Sequence, residues 1–187
     1  MKIIAVRHGQ TDWNALGKIQ GNMDFPLNEK GREQAHQTAQ LLQPGTVDVV
    51  MASTLKRAVE TAEIISEQLG INGEVIKDKR LCERDFGDYD GLPFKDVDIL
   101  ALRSYNANVA IPNGETIREV AARVFECLDE IIRKYSGKNV LLVLHGHVIR
   151  AALWYFEGFP SAETEDPSFD IANCAVYEFE VEENKCH

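Results

Sequence analysis

The sequence lacks a long apolar run. Its uninterrupted apolar stretches fall far short of the roughly 18 residues that a membrane-spanning helix needs. The stretch that follows Met1 and Lys2 is also too short for the apolar part of a secretory signal peptide. We therefore expect a cytoplasmic protein without a membrane-spanning segment.

Cysteine is scarce, and its spacing is not that of a disulfide framework or a zinc site. The four cysteines lie far apart and form no C-x-x-C pair; they are Cys82, Cys127, Cys174 and Cys186. Closely spaced pairs are the usual sequence pattern of both kinds of site. We expect all four to be reduced thiols.

Positive charge is in the minority, with 20 Lys and Arg residues against 30 Asp and Glu residues and a formal net charge of −10. An acidic chain binds nucleic acid and anionic membrane surfaces poorly, so neither is an expected partner. A small anionic substrate is not excluded, because a few converging Arg and His side chains can form a local positive pocket. The acidic stretch 163–166 is expected to be solvated. No pattern in the sequence indicates the oligomeric state.

What the sequence does contain is an alternation of strand and helix patterns. With 187 residues and 44% apolar content, the chain suits a single domain spanning 1–187. The predicted strands are 2–6, 47–51, 74–77, 140–144 and 174–181. The predicted helices are 28–43, 55–69, 116–135 and 148–156. This order predicts an α/β three-layer sandwich, with a mostly parallel central sheet flanked by helices. Segment 84–113 is rich in Gly and Pro and is expected to be irregular.

Two histidines follow predicted strands directly. His8 lies in Arg7-His8-Gly9 after the first strand, and His145 follows the strand 140–144. In a parallel sheet the carboxyl ends of the strands meet at one edge, where ligands of open α/β folds bind. We expect both histidines at that edge, with Arg7 beside them.

Two further segments carry residues suited to phosphate chemistry. Arg57 stands at a strand-to-helix junction, and Glu83 precedes the irregular segment. Arginine forks neutralise phosphoryl oxygens, a neutral imidazole can attack phosphorus, and a protonated carboxyl can give its proton to the leaving oxygen. If these segments converge, the site needs a neutral histidine and a protonated carboxyl group, but no metal.

The local sequence leaves two alternatives open. Asp85 and Glu115 are as suitable as Glu83 for the acid, since nothing nearby distinguishes them. His145 and His147 could also be read as a metal-binding pair. Metal sites need three or four ligands, and a neighbouring arginine opposes a cation, so no metal or other cofactor is expected.

Taken together, the motifs resemble the histidine phosphatase superfamily, which includes cofactor-dependent phosphoglycerate mutases and related small phosphatases. In chain order, the matching positions are Arg7-His8-Gly9 with Thr11 and Asn14, Gln20-Gly21, Ser53 with Arg57-Ala58, Glu83 with Phe86-Gly87, Gly114-Glu115-Thr116, and His145-Gly146. They cover residues 3 to about 150.

The resemblance implies a phosphoglycerate mutase-like fold and a role for each matching position. His8 would be the nucleophile that becomes phosphohistidine, and Glu83 the general acid and then the base. Three residues would bind the transferred phosphoryl group: Arg7, Arg57 and His145. Six more would contact phosphate or substrate: Thr11, Asn14, Gln20, Gly21, Gly146 and His147. Segment 84–113 would be the lid that varies with substrate.

The short lid favours one activity over another. Mutases of this family carry a longer segment with extra basic residues, whereas here 31 residues separate Glu83 from Glu115 and the basic ones are Arg84, Lys95 and Arg103. We expect a metal-independent phosphomonoester phosphatase acting on a small phosphorylated metabolite. The alternatives are a cofactor-dependent phosphoglycerate mutase and a catalytically silent phospho-ligand binder.

Overall fold

A five-stranded sheet forms the centre of the molecule. The computed structural model describes residues 1–182, so Cys186 lies outside the described residues. The strands are β1 (Lys2–Arg7), β2 (Val49–Ala52), β3 (Ile76–Lys77), β4 (Val140–Leu144) and β5 (Val176–Glu180). Their order is β3-β2-β4-β1-β5, and only the pairing of β1 with the edge strand β5 is antiparallel. The predicted α/β class with a mostly parallel sheet is confirmed.

Helices cover both faces of this sheet. They are α1 (Asp12–Ala15), α2 (Glu29–Leu41), α3 (Lys56–Gln68), α4 (Ile99–Arg103), α5 (Ile117–Lys134) and α6 (Gly146–Glu157). Successive side chains of a strand point to opposite faces. Accordingly, Leu141 and Val143 of β4 pack in the cluster with α2 and α3, while Leu142 and Leu144 pack with α5 and α6. The three-layer arrangement follows from β4 being apolar at every position.

The register of β1 against β4 brings the two predicted histidines together. Arg7 pairs with Leu144, so His8 and His145 are the next residues beyond the ends of two adjacent strands. The His8 N–H donates to Leu144 O at 3.0 Å. Both histidines therefore lie at the same edge of the sheet.

Several element boundaries differ from the predictions. The four-residue helix α1 was not predicted, and β3 contains only two residues, both exposed. Helix α6 begins at Gly146 rather than at 148. Its first turn therefore includes Gly146 and His147, which places their backbone N–H groups at the edge of the sheet where the strands end.

The lid segment 84–113 is more ordered than predicted. It contains α4 and two 3-10 turns, and it packs around a small apolar cluster made of Ile19, Phe86, Leu102 and Ile111. The buried Arg84 guanidinium donates to Leu102 O at 2.5 Å, Val109 O at 3.0 Å and Glu115 O at 2.7 Å. Arg84 thus holds the lid segment together and does not line the pocket beneath it.

The acidic stretch 163–166 is not simply solvated. The Glu165 carboxylate accepts hydrogen bonds from Ser104 Oγ at 2.7 Å, from Asn106 Nδ2 at 2.9 Å and from the Tyr105 backbone N–H. Glu165 therefore fastens the loop before β5 to the end of the lid segment.

Among the described residues, we find no helix with the length and apolar character needed to cross a membrane.

Candidate active site

A pocket of about 270 Å³ lies at the edge of the sheet where β1 and β4 end. Nine of the predicted site residues line it: Arg7, His8, Asn14, Gln20, Gly21, Arg57, Glu83, Gly146 and His147. Ten further residues complete the lining: Lys18, Ile19, Phe86, Phe94, Ile99, Arg103, Arg150, Asp170, Ile171 and Asn173. The fold thus brings together segments that are more than 130 residues apart in the chain.

The His8 ring is held in one orientation by its own loop. Its Nδ1 lies 2.7 Å from Gly9 O, which can only accept, so the ring proton sits on Nδ1 and the Nε2 lone pair is free. Gly9 itself must be glycine, because a Cβ would lie 2.4 Å from Gly31 O. Burial, followed by the positive charges of Arg57 and Arg7, lowers the pKa of His8 well below its ordinary value. His8 is therefore a neutral, buried imidazole with its Nε2 lone pair free.

The two pocket arginines are oriented by backbone carbonyls. Arg57 donates to Gly21 O at 2.8 Å and to Met23 O at 2.7 Å, and Arg7 donates to Ile171 O. The Nε atom of each is buried and has no hydrogen-bond partner within residues 1–182. Burial lowers the pKa of Arg57 to about 10, so it is still cationic at neutral pH. Unpaired donors on fixed guanidinium groups are what an incoming phosphoryl group requires.

His145 lies behind the pocket surface. Its ring is fully buried, 5.0 Å from that of His8 between centroids, and its Nε2 lies 2.7 Å from Ser53 Oγ. Its Nδ1 is buried without a partner in the described part of the chain. Burial, and after it the charge of Arg57, lowers the pKa of His145 well below its ordinary value. The ring is thus neutral, and Nδ1 is its remaining polar atom available to a ligand.

Glu83 lies at the amino end of α6, where the helix dipole favours negative charge. Its Oε1 accepts from the backbone N–H of Arg84 at 2.8 Å and of His147 at 3.2 Å, and lies 3.6 Å from His147 Nδ1. Burial alone would favour the neutral acid, but the contact with the His147 ring and the hydrogen bond from the Arg84 N–H hold the pKa of Glu83 well below its ordinary value. Without substrate, these contacts favour the ionised form of Glu83.

The structure separates Glu83 from the two carboxylates that the sequence left as alternatives. Asp85 Oδ1 accepts the Gly87 N–H at 2.8 Å, which closes a turn. Glu115 forms a two-point ion pair with Arg123 at 2.8 and 2.9 Å. Neither residue lines the pocket, whereas Glu83 does.

Thr11 is not at the pocket surface, in contrast to its predicted contact with phosphate. It is fully buried and forms the N-cap of α1, where its Oγ1 accepts from the Asn14 N–H at 3.2 Å. The same hydroxyl lies 2.8 Å from Gln20 Oε1. Thr11 thus acts through Asn14 and Gln20, both of which line the pocket.

Five polar or charged lining residues were not predicted as site residues from the sequence: Lys18, Arg103, Arg150, Asp170 and Asn173. Arg150 follows His147 by three positions in α6, a spacing that places both on one helix face and could have identified it. Arg103 was noted only as a basic residue of the lid. Asp170 and Asn173 lie in the loop before β5, which carries no periodic pattern that would mark them.

His145 and His147 are not part of a metal-ligand group. Within residues 1–182, we find no cluster of three or more His, Cys, Asp or Glu side chains arranged to hold a metal ion. The imidazoles contact Ser53 and Glu83 respectively.

Known proteins share both the sequence pattern and the fold. The model of the histidine phosphatase superfamily (branch 1) matches residues 3–187. The uncharacterized phosphatase PhoE of Bacillus subtilis (strain 168) is 36% identical over 183 residues, 98% of this chain and 90% of that protein. A 2,3-bisphosphoglycerate-dependent phosphoglycerate mutase of Cytophaga hutchinsonii is 31% identical over 186 residues, 95% of this chain and 87% of that protein. The mycobacterial glucosyl-3-phosphoglycerate phosphatase in complex with VO3 superimposes with a TM-score of 0.84 at 31% identity, covering 95% of this chain and 91% of that one.

Proposed function

Because the chain belongs to the histidine phosphatase superfamily, as its motifs predicted, we propose that it is a metal-independent phosphomonoester phosphatase with His8 as its nucleophile. One observation carries the proposal. The Nδ1 contact with Gly9 O leaves Nε2 of a neutral imidazole free in a pocket lined by Arg7 and Arg57. A nucleophile and the charges that neutralise phosphoryl oxygens are thus already in place before substrate binds.

The first step transfers the phosphoryl group to His8. Nε2 attacks phosphorus, the bond between phosphorus and the ester oxygen breaks, and the leaving alkoxide takes a proton. Glu83 is ionised in the free protein, so this proton has to enter with the substrate, whose second ionisation lies near pH 6. The negative charge of the bound phosphate raises the pKa of the adjacent carboxylate, which makes Glu83 the acceptor and then the donor of that proton.

The second step returns the enzyme to its starting state. Water attacks the phosphohistidine and gives a proton to Glu83, the bond between phosphorus and Nε2 breaks to release neutral His8, and the proton then leaves Glu83 with the inorganic phosphate. Arg7 and Arg57 stabilise the charge on the equatorial oxygens in both steps, which is the part that a metal ion plays in other phosphatases. His145 contributes its unpaired Nδ1 to the same group.

The charges of the lining residues indicate what kind of substrate the pocket would bind. Five cationic side chains (Arg7, Lys18, Arg57, Arg103 and Arg150) and two acidic ones (Glu83 and Asp170) line the pocket. With its histidines neutral, the pocket carries three net positive charges, which is more than the phosphate group of a monoester neutralises. We propose a small phosphorylated metabolite whose alcohol part carries a further anionic group and fits a cavity of about 270 Å³.

Phosphoglycerate mutase activity is the second candidate, and Arg103 is the observation that favours it. This residue is the one basic side chain of the lid segment 84–113 that lines the pocket. The short lid favours hydrolysis, because water reaches a phosphohistidine more readily when the segment above it is short.

The test combines turnover with trapping of the intermediate. We expect hydrolysis of p-nitrophenyl phosphate and of small phosphomonoesters in EDTA, with an acid-labile phosphoryl group on the wild-type protein. His8→Ala should lose both, whereas the exposed His36→Ala should keep both. A labelled protein that isomerises 3-phosphoglycerate with little phosphate release would be a mutase. A His8→Ala protein that retains most of its turnover would overturn the proposed nucleophile.

A further inference from the structure

The loop before β5 contacts the nucleophile segment through Asn173. Its Nδ2 lies 3.0 Å from His8 O and 3.3 Å from Asn14 Oδ1. We propose that Asn173 is a positioning residue that fixes the amide of Asn14 with its nitrogen toward the phosphoryl group. The proposal rests on the proposed phosphoryl-transfer function and adds a residue from a part of the chain where no sequence motif predicted one.

Hydrogen-bond chemistry determines which way the Asn14 amide faces. Asn14 Oδ1 lies 3.2 Å from the Thr11 backbone N, and a backbone N–H can only donate. The same oxygen lies 3.2 Å from the Thr11 hydroxyl and accepts from Asn173 Nδ2 at 3.3 Å. Asn14 Nδ2 has no hydrogen-bond partner within residues 1–182, and Asn14 lines the pocket. An amide held by its oxygen presents its two N–H donors to the bound phosphate.

The Asn173 amide is itself fixed. Both of its Nδ2 contacts, His8 O and Asn14 Oδ1, are acceptors, so the reversed amide would set oxygen against oxygen. Thr11 and Asn173 therefore act on Asn14 from the two ends of the described chain, one as the cap of α1 and one from the loop before β5.

The backbone around Asn173 is anchored on Arg7. The Ala175 N–H donates to Ala172 O at 3.1 Å and closes a turn in which Cys174 adopts a φ of 59°. Cys174 N–H donates to Arg7 O at 3.0 Å, and Arg7 N–H donates to Ala175 O at 3.1 Å. Because the turn is bonded to the residue before the nucleophile, Asn173 has a defined place relative to His8.

The positioning role predicts an effect on turnover that depends on Asn14. Removing a donor aimed at developing negative charge typically lowers kcat by about 100- to 1,000-fold, and losing only its orientation costs less. We expect Asn173→Ala to lower kcat/KM by ~10- to 100-fold, mostly in kcat, and to weaken inhibition by vanadate, which mimics the transferring phosphoryl group.

A double-mutant cycle separates this role from a general effect on structure. Asn173→Ala should cost little once Asn14 is already Ala, because there is no amide left to orient. Gln40→Ala, at an exposed amide of α2, is the control and should not change turnover. If Asn173→Ala fails to fold, Asn173→Asp has the same shape but cannot donate, and its loss should likewise be smaller in the Asn14→Ala background.

Losses that multiply in the double variant would overturn the positioning role. Unchanged turnover and vanadate inhibition in Asn173→Ala would overturn it as well. Trapping phosphohistidine on the wild-type protein shows whether the role of Asn173 or the proposed function itself has failed. A wild-type protein that carries the label while the cycle is additive refutes the role of Asn173 alone; a wild-type protein without label refutes the function on which it rests.

Discussion

At the scale of single residues, the pocket sets the protonation of its two reacting groups before substrate arrives. His8 is neutral because burial and two guanidinium charges oppose its protonation, and Glu83 is ionised because backbone N–H groups and the His147 contact outweigh burial. In the free protein, therefore, Glu83 is not a protonated acid that could supply the leaving group. In the proposed mechanism, that proton is present only in the complex with substrate.

The pH dependence of kcat/KM follows from His8. Its pKa is lowered in the folded protein, so the neutral form is present above that pKa and activity is lost as the pH falls through it. We expect the acid limb of kcat/KM to lie well below pH 6.5. The measurement is a pH–rate profile on p-nitrophenyl phosphate, whose leaving group needs no proton. An acid limb at or above 6.5 would contradict the neutral, buried nucleophile.

At the scale of elements, α5 holds the chain that carries Glu83. Arg123 of α5 pairs with Glu115 and donates to Cys82 O at 2.8 Å and to Glu83 O at 3.1 Å. Glu83 therefore depends on a side chain that never touches the pocket. The position of the carboxylate is a property of the packing of α5 against the loop, not of the loop alone.

Arg123→Met should damage both stability and catalysis. It removes the Arg123 donors from the Glu115 carboxylate and from three backbone carbonyls (Arg80, Cys82 and Glu83). A loss of this kind typically costs about 2 kcal/mol in the free energy of unfolding. We expect that loss in urea unfolding together with a lower kcat, because Glu83 loses its support. Glu178→Gln, which breaks an exposed pair with Lys2, is the control and should change unfolding by less than about 1 kcal/mol. Full activity in Arg123→Met would contradict the supporting role.

The sequence predicted those elements whose stability is local or periodic. The apolar run of β4 and the capped, amphipathic α5 were both identified, since buried strands and helix faces leave a regular pattern. The lid helix α4 was not, because it is held by the distant Arg84 and by a cluster that includes Ile19. The same difference between local pattern and tertiary contact decides which site residues could be predicted. His8 and His145 follow strands and could be predicted, whereas Asp170 and Asn173 are recruited by tertiary contacts alone.

At the scale of the whole molecule, three buried histidines make the fold sensitive to acid. Burial lowers the pKa of His8, His145 and His147 below the ordinary value of 6.5. Between that value and the folded-state pKa, the unfolded chain binds protons that the native protein does not. The free energy of unfolding therefore falls as the pH drops below 6.5, and the loss continues until the folded-state pKa is reached.

The pH dependence of unfolding should become shallower when one of these rings is removed. Each such histidine contributes at most about 1.4 kcal/mol per pH unit to the slope. We expect His8→Asn to have a smaller slope than the wild type in urea unfolding between pH 7.5 and 5. The exposed His36→Asn should keep the wild-type slope. Equal slopes in all three proteins would mean that His8 is protonated in the native state.

The place of β1 in the sheet also sets the order in which the site can form during synthesis. The proposed nucleophile, His8, follows the first strand, but β1 lies between β4 and β5, and the adjacent Arg7 is bonded to the turn 172–175. A ribosome releases the amino-terminal part of a chain first. The nascent protein thus carries His8 long before the segments that orient it, and the proposed hydrolysis of phosphate esters can begin only when those late segments have emerged and folded.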